Sequence, residues 1–249
     1  RVGLHLWEEP CISYGKGSGT VFFAGCNMGC VYCQNSEISA HLKGKDVSVD
    51  TLCFEMLRLQ SMGAVNINLV TPTHYAHKIV EALEKTKHKL NIPVIYNTSG
   101  YECSETLKKL CGLVDIYLTD LKYYSKEISK KYSFCEDYFD IAIKAVSLMV
   151  KQTGKPVFDE KGHMKKGTLV RHLVLPSLYG DSIDTFKALS ETIDVKNVAV
   201  SVMCQYFPSY KAQEYKEINR KTTTLEYMKV VEFVRSLGFE HGFMQQRDS

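Results

Sequence analysis

The chain has 249 residues, of which 45% are hydrophobic and 24% charged, and its formal net charge is +3. These values are ordinary for a globular protein, and so small a charge argues against a nucleic-acid partner or an anionic membrane surface. No apolar run approaches the ~20 residues that a membrane-spanning helix needs. The nine cysteines form no disulfide framework, which favours a reducing, cytoplasmic location. The chain begins at Arg1 without a methionine, as a truncated chain would.

Short apolar runs alternate along the chain with stretches of helical periodicity, the pattern that buried parallel strands and their crossover helices produce. We predict strands over Thr20–Ala24, Asn66–Thr71, Pro93–Asn97, Asp115–Asp120, Leu169–Leu175 and Val198–Met203. We predict helices over Thr51–Met62, Tyr75–His88, Ser104–Cys111, Tyr138–Gln152, Ser182–Thr192 and Leu225–Leu237.

This alternation predicts an α/β fold with a parallel sheet and right-handed crossovers. Six strand–helix units are too few to close an eight-stranded barrel, so we expect a partial (β/α)6 barrel with an open side. A single domain would span 1–249, with an N-terminal extension (1–19), an inserted hairpin (154–168) and a C-terminal loop and helix (207–249). Functional loops of such a fold follow the carboxyl ends of the strands.

Three cysteines, Cys26, Cys30 and Cys33, closely follow the first predicted strand in a C-x3-C-x2-C spacing. Three thiolates would leave one iron of a [4Fe–4S] cluster without a protein ligand, and such an iron can bind and activate a molecule. The alternative is a zinc site with a histidine or a distant cysteine as the fourth ligand. The C-x2-C-x2-C pattern of a ferredoxin is absent.

The segment from Gly17 to Asn35, with its aromatic Tyr32 just before the third cysteine, resembles the signature of the radical S-adenosylmethionine (SAM) enzymes. It is most similar to the pyruvate formate-lyase activating enzyme family, in its PflX-type branch. Further segments typical of that branch are 66–74, 96–101, 114–123 and 170–176. The resemblance implies a radical SAM barrel, a [4Fe–4S] cluster on the three cysteines, and SAM. It also implies reductive cleavage of SAM to a 5′-deoxyadenosyl radical that abstracts hydrogen from a substrate.

The resemblance places SAM contacts first in the cluster loop and after the second predicted strand. Met28 and Tyr32 would offer apolar surface to the adenine, with core packing as the alternative for Met28. The family usually has Gly-Gly-Glu after the second strand to bind the SAM amino group. Here Thr71, Thr73 and His74 occupy that place, and they can exchange hydrogen bonds but cannot supply a carboxylate.

Two further groups of predicted SAM contacts follow the third and fourth strands. Asn97, Thr98 and Ser99 align with the segment that contacts the SAM methionine and ribose in the activating enzyme, although these residues are also typical of a turn. Asp120 and Lys122 lie two residues apart and therefore share a face of their strand. They match the family's aspartate and lysine that approach SAM, with a surface ion pair as the alternative.

Arg171 lies in an otherwise apolar strand beside His172, and successive strand residues face opposite sides. Arg171 resembles a family arginine near SAM and substrate and could clamp a carboxylate, so we favour it over His172. The alternative is a structural salt bridge. Gln205 follows the sixth strand, an edge that the family uses for SAM contacts. The predicted catalytic residues are therefore Arg171, Lys122 and Asp120.

Three functions stay open at this stage. The first is a glycyl-radical-enzyme activase, whose partners would be a glycyl-radical enzyme or another protein or peptide, and a flavodoxin or ferredoxin as low-potential electron donor. The second is radical SAM modification of a peptide, an RNA base or a small metabolite, suggested by the missing Gly-Gly-Glu and by the polar pair Asn66 and Asn68. The third is a non-catalytic metal-binding module. The acidic pair Glu8 and Glu9 either covers the barrel bottom or reaches the site.

Overall fold

The computed structural model describes residues 1–13 and 15–245; Tyr14 of the predicted extension and residues 246–249 of the predicted C-terminal segment lie outside the described residues. The strands are β1 (Val2–His5), β2 (Ser18–Phe22), β3 (Ile67–Val70), β4 (Val94–Thr98), β5 (Ile116–Asp120), β6 (Val157–Phe158), β7 (Met164–Leu173), β8 (Ala199–Met203) and β9 (His241–Met244). The helices are α1 (Pro10–Ser13), α2 (Ser36–Ser39), α3 (Val49–Ser61), α4 (Ala76–Thr86), α5 (Ser104–Leu110), α6 (Lys126–Ser133), α7 (Tyr138–Thr153), α8 (Tyr179–Thr192) and α9 (Thr224–Ser236).

The strands form one mostly parallel sheet in the order β1-β2-β3-β4-β5-β7-β8-β9, and β6 pairs with β7. Each neighbouring pair from β2 to β9 is parallel, whereas β1 is antiparallel to β2. Within the described residues β1 and β9 do not pair, so the predicted partial barrel with an open side is confirmed. The two edge strands, β1 and β9, were not predicted. β1 has no buried residue, and β9 is short and contains Gly242. Neither therefore carries the apolar run of a buried strand.

The central strands are buried on both faces, which explains why their sequences are continuous apolar runs. In β5, Leu118 packs inward against Ile95 and Leu169, whereas Tyr117 packs outward with Met149 of α7. In β4, β5 and β7 the inward residues change from apolar to polar towards the carboxyl ends, as from Leu118 to Asp120. β2 and β3 differ, because buried polar residues lie already at their amino ends, where Ser18 donates to Asn66.

The predicted crossover helices are present, and each begins and ends within three residues of its predicted bounds. Two of them begin at side-chain caps: Ser48 caps α3, and Thr223 forms a capping box with Glu226 at the start of α9. Helix α6 was not predicted because it is mostly polar, with Tyr132 its one buried large side chain. No helix in the described part of the chain has the length and apolar character needed to cross a membrane.

The segment 154–168 contains β6, which pairs antiparallel with the first half of β7. The carboxylate of Asp159 accepts hydrogen bonds from the backbone N–H groups of Lys161 and His163 and so organises the turn. The second arm continues without a break into β7, which is therefore longer than the predicted Leu169–Leu175 strand at its amino end.

Candidate active site

The three predicted cluster ligands lie in one loop that leaves the carboxyl end of β2. All three cysteines are free thiols, and the thiols of Cys26 and Cys33 both act electrostatically on Cys30. Burial raises the pKa of Cys30 to about 11. The loop turns at Gly25, whose φ is +87° and where a Cβ would lie 2.7 Å from Nε2 of His74, so both the conformation and the space require glycine.

The carboxyl end of α6 holds this loop in place. The N–H of Gly29 donates to the carbonyl of Ser133 at 3.2 Å, and the N–H of Val31 donates to the carbonyl of Tyr132 at 2.9 Å. The hydroxyl of Ser133 also donates to Sγ of Cys30 at 3.0 Å. A helix that the sequence did not reveal therefore positions the middle ligand of the motif.

A buried chain of hydroxyl groups leads from Tyr32 to Cys30. Tyr32 Oη hydrogen-bonds to Tyr123 Oη, which lies 2.7 Å from Oγ of Ser133. Because Ser133 donates its one hydrogen to the sulfur, it accepts from Tyr123, which in turn accepts from Tyr32. The hydroxyl of Tyr32 thus contributes to this network, and Met28 is buried in the same apolar cluster as both tyrosines.

The donor set fits a [4Fe–4S] cluster better than zinc. A zinc site needs its protein ligands to converge on one ion. Among the described residues, no three His, Cys, Asp or Glu side chains are arranged to do so. Three unpaired thiols in one loop, without a fourth ligand in the part of the chain that the structure describes, match a cluster that keeps one iron open.

Four predicted site residues meet in one polar network above the apolar floor of the barrel. Asp120 lies opposite Arg171 in the pairing of β5 and β7. Its carboxylate accepts from Nε of Arg171 at 2.9 Å and from Nζ of Lys122 at 2.5 Å. Arg171 also donates from Nη2 to Oδ1 of Asn97 at 2.7 Å. The interpretation of Asp120 and Lys122 as a surface ion pair is wrong, because both are largely buried.

The charges in this network stabilise one another. Burial alone would raise the pKa of Asp120, but Arg171 and Lys122 outweigh it and hold that pKa below its usual value. Burial likewise works against the charge of Lys122, yet Asp120 and the nearby Cys30 thiol leave its pKa raised. Lys122 is therefore a buried cation that faces both the cluster loop and the barrel interior.

The predicted residues after β3 lie beside the cluster loop but differ in what they contact. Thr71 has a positive φ of 56°, and its N–H donates to the carbonyl of Asn97. Nε2 of His74 donates to the carbonyl of Ala24 at 3.0 Å, which ties this loop to the cluster loop. Thr73 instead donates to Glu102 at 2.6 Å.

The predicted residues after β4 divide between the two faces of the sheet. Asn97 faces inward to Arg171, whereas Thr98 faces outward and donates to the buried Glu102. The carbonyl of Ser99 accepts from Tyr138 Oη at 2.8 Å. Sequence analysis missed Glu102, whose carboxylate joins the loops after β3 and β4.

The acidic pair near the amino end reaches the site. Oε2 of Glu8 lies 3.7 Å from Nη1 of Arg171, and Oε1 of Glu9 lies 3.9 Å from Nε of Arg171. Nδ2 of Asn68, on β3, donates to Oε1 of Glu8 at 3.1 Å. The sequence shows two consecutive carboxylates in the short segment Trp7–Pro10, which suggested a functional role. It did not indicate that they lie beside Arg171.

A cavity of about 750 Å³ opens beside Arg171, between the N-terminal segment and the ends of β8 and β9. We call it the Arg171 cavity, and its lining includes Glu8, Glu9, Arg171, Met203, Gln205 and Phe243. Its lining therefore brings Gln205 and Arg171, both predicted to contact SAM, to one space.

Comparisons with known proteins give a match to a family and to a relative. The family profile of the Radical SAM superfamily matches residues 20–160, which include all three cysteines and the Asp120–Lys122 pair. An uncharacterized protein of Methanocaldococcus jannaschii, MJ0674, is 33% identical over 246 residues, which cover 95% of this chain and 67% of that protein.

Solved structures share the fold at low sequence identity. SuiB of Streptococcus suis, in a crystal structure with bound S-adenosylmethionine, superposes with a TM-score of 0.61 and 11% identity over 91% of this chain and 50% of SuiB. A domain of a pyruvate-formate lyase-activating enzyme from Bacteroides vulgatus superposes with a TM-score of 0.50 and 11% identity, over 73% of this chain and 98% of that domain. The chain thus spans about half the length of SuiB.

Proposed function

Because the chain belongs to the radical SAM superfamily, a superfamily of enzymes that use a [4Fe–4S] cluster and SAM, we propose that it abstracts a hydrogen atom from a partner protein, as glycyl-radical-enzyme activases do. When bound, the cluster and SAM supply one-electron cleavage of SAM to methionine and a 5′-deoxyadenosyl radical, which takes hydrogen from the substrate and becomes 5′-deoxyadenosine. The protein supplies the position of these groups and the exclusion of water.

One observation carries the proposal: a row of buried polar groups, Lys122, Asp120 and Arg171, extends from the side of the cluster loop into the barrel. Lys122 interacts electrostatically with Cys30 and pairs with Asp120, which in turn holds Arg171. We assign Cys26, Cys30 and Cys33 to the cluster, and the members of this row to SAM and substrate.

Each member of the row has a distinct task in this proposal. The buried ammonium of Lys122 offers charge to the carboxylate of SAM, and Asp120 fixes its position. Arg171 is held by Asp120 and Asn97, so its guanidinium is oriented before a substrate arrives. We retain Met28, Tyr32, Thr71, Thr73, His74, Ser99 and Gln205 as the further proposed SAM contacts. The prediction for Thr98 is wrong, because this residue is buried on the outer face of the sheet against Glu102.

The partners in this proposal are a glycyl-radical enzyme and a low-potential electron donor, a flavodoxin or a ferredoxin. An exposed aromatic side chain beside the cluster loop supports access by a protein. Phe134 is 67% exposed, and its ring lies 2.8 Å from the place that a Cβ at Gly29 would take. We expect this work to take place in a reducing, cytoplasmic environment, where a cluster with an open iron survives.

The first experiment is anaerobic reconstitution with iron and sulfide, followed by dithionite, SAM and chromatography for 5′-deoxyadenosine. We expect the product from the native chain and none from the Cys30→Ala variant. The Cys111→Ala variant is the matched control, because Cys111 is an exposed cysteine far from the motif. A native chain that assembles its cluster but forms no 5′-deoxyadenosine would overturn the proposal.

The second experiment concerns the partner. The reconstituted chain is incubated with SAM, reductant and a candidate glycyl-radical enzyme, and electron paramagnetic resonance is used to look for the doublet of a glycyl radical. A doublet that requires the active chain supports the activase function. Formation of 5′-deoxyadenosine without a doublet across a set of candidate partners counts against it.

A second candidate function is the modification of a small metabolite, a peptide or an RNA base. The Arg171 cavity favours it, because about 750 Å³ is within the usual size of small-molecule sites. This candidate predicts that small molecules, peptides or RNA fragments raise the rate of 5′-deoxyadenosine formation. It fails if only a glycyl-radical enzyme does so.

A further inference from the structure

The Arg171 cavity holds more negative than positive charge. Three carboxylates, those of Glu8, Glu9 and Asp120, surround the one guanidinium of Arg171. Lys122 does not remove this imbalance, because it pairs with Asp120. When the three carboxylates, Arg171 and Lys122 are all ionised, these five groups together carry one excess negative charge.

Arg171 neutralises only one of these carboxylates closely. Its Nε donates to Asp120 at 2.9 Å, and its Nη2 donates to Asn97 rather than to an acid. The oxygens of Glu8 and Glu9 stay at 3.7 and 3.9 Å from the guanidinium, beyond the length of a hydrogen bond. Both glutamates therefore face a cation that is already engaged elsewhere.

Of the two glutamates, Glu9 lacks a partner most clearly. Its side chain is 8% exposed, and its Oε2 is buried with no hydrogen-bond partner among the described residues. A buried carboxylate of this kind needs a donor, because its desolvation is otherwise uncompensated. Burial raises the pKa of Glu9, and that of Glu8 as well. Since both residues line the Arg171 cavity, a cation that enters it would supply the missing partner.

The remaining walls of the cavity indicate what carries that cation. Met203, Phe243 and Met244 provide apolar surface, which suits an aliphatic stem. A protonated amine is compact and presents three donors, enough for the free oxygen of Glu9 and for a second carboxylate oxygen. We propose that the Arg171 cavity binds a protonated primary amine of the substrate, with Glu9 and Glu8 as its carboxylate partners.

This inference rests on the proposed function only in assigning the cavity to the substrate. The test is isothermal titration of the reconstituted chain, without reductant, with n-pentylamine and with its uncharged analogue n-pentanol. We expect the native chain to bind the amine at least tenfold more tightly than the alcohol. Equal affinities would overturn the inference without any variant, so it stays testable even if substitutions prevent folding.

Two variants locate the binding. The Glu9→Gln variant is expected to lose at least tenfold in affinity for pentylamine and to keep its affinity for pentanol. The Glu102→Gln variant is the matched control, since Glu102 is also buried and also has one carboxylate oxygen without a partner among the described residues, but it lies on the outer face of β4. Unchanged amine binding in Glu9→Gln, or an equal loss in Glu102→Gln, would overturn the assignment.

A titration with SAM separates the substrate from the cofactor, because SAM itself carries an amino group. We expect pentylamine to bind the SAM-saturated chain and SAM affinity to be unchanged in Glu9→Gln. Competition between the two ligands, with SAM weakened tenfold in Glu9→Gln, would assign the cavity to SAM and overturn the inference. Since titration needs no SAM cleavage, a chain that prefers the amine but forms no 5′-deoxyadenosine would overturn the proposed function alone.

Discussion

Ser133 Oγ donates a hydrogen bond to Sγ of Cys30 at 3.0 Å, and it does so from the last turn of α6, more than a hundred residues along the chain from the cysteine. The hydroxyls of Tyr123 and Tyr32 extend this bond into an oriented chain of donors. Donors that point at a ligating sulfur stabilise the more negative, reduced form of a cluster. With the cluster on Cys30, as we propose, this network would help to set its reduction potential.

The Ser133→Ala variant should lower the reduction potential of the cluster by about 40 mV, the one-electron equivalent of a hydrogen bond worth ~1 kcal/mol. Redox titration followed by electron paramagnetic resonance measures it. The Ser129→Ala variant is the control, because Ser129 is buried in the same helix but its hydroxyl donates to the carbonyl of Lys126 instead of to a cysteine. Equal potentials in Ser133→Ala and the native chain would contradict the role.

The Asp120→Asn variant should lower the free energy of unfolding by about 3 kcal/mol at neutral pH, because it leaves Lys122 and Arg171 buried without their shared carboxylate. Urea denaturation of the chain measures the loss. In the control variant, Asp140→Asn, the exposed pair with Lys126 is removed and the change should stay below ~1 kcal/mol. Similar losses in the two variants would show that burial adds nothing to the Asp120 network.

Gly100 sits in the turn between β4 and α5 with a φ of +82°, and a Cβ there would collide with the carbonyl oxygen of Asp120. Gly63 has a similar φ of +87° but open space around it. The Gly63→Ala variant should cost about 1 kcal/mol from the left-handed conformation alone. Gly100→Ala should cost at least ~1 kcal/mol more and lower SAM cleavage, since it displaces Asp120. Unfolding and 5′-deoxyadenosine assays test both, and equal costs would contradict the close approach.

His172 faces the helices, opposite to Arg171, with Nδ1 at 2.6 Å from the carbonyl of Leu121 and Nε2 at 2.8 Å from Ser182 Oγ. Burial lowers its pKa from 6.5 to about 4. Below the unfolded-state pKa, His172 binds a proton in the unfolded chain but not in the folded chain. The free energy of unfolding therefore decreases as the pH is lowered. The loss at this residue should be about 2 kcal/mol between about pH 7 and about pH 5.

The His172→Gln variant checks this prediction, because glutamine does not titrate. Urea denaturation at the two pH values should show a smaller drop in the variant than in the native chain, by about 2 kcal/mol. The carboxylates contribute equally to both proteins and cancel in the comparison. An unchanged drop would mean that His172 is protonated in the folded chain.

The sequence alone determined the open barrel and gave the candidate ligands of the cluster their places. Parallel strands that are buried on both faces are mostly apolar, so most strands from β2 to β8 appear as apolar runs, with the turn-rich β6 hairpin between them. The three cysteines proposed as ligands could be found because they lie close together in the sequence. Asp120, Lys122 and Arg171 could be placed at one sheet edge, because carboxyl ends of parallel strands meet there.

Only the tertiary structure decided which partners these residues have. Glu8 and Glu9 lie more than 160 positions from Arg171 along the chain, and no local pattern records such a contact. The roles of Ser133 and Tyr123 were not predicted, because neither a polar helix nor a buried hydroxyl group produces a regular pattern in the sequence. Hydrogen bonds and charge pairs act over a few ångströms regardless of separation along the chain, so they form only when the sheet brings distant loops together. Hydrophobic burial differs, because it produces a regular spacing of apolar residues within each strand or helix, which can be seen in the sequence.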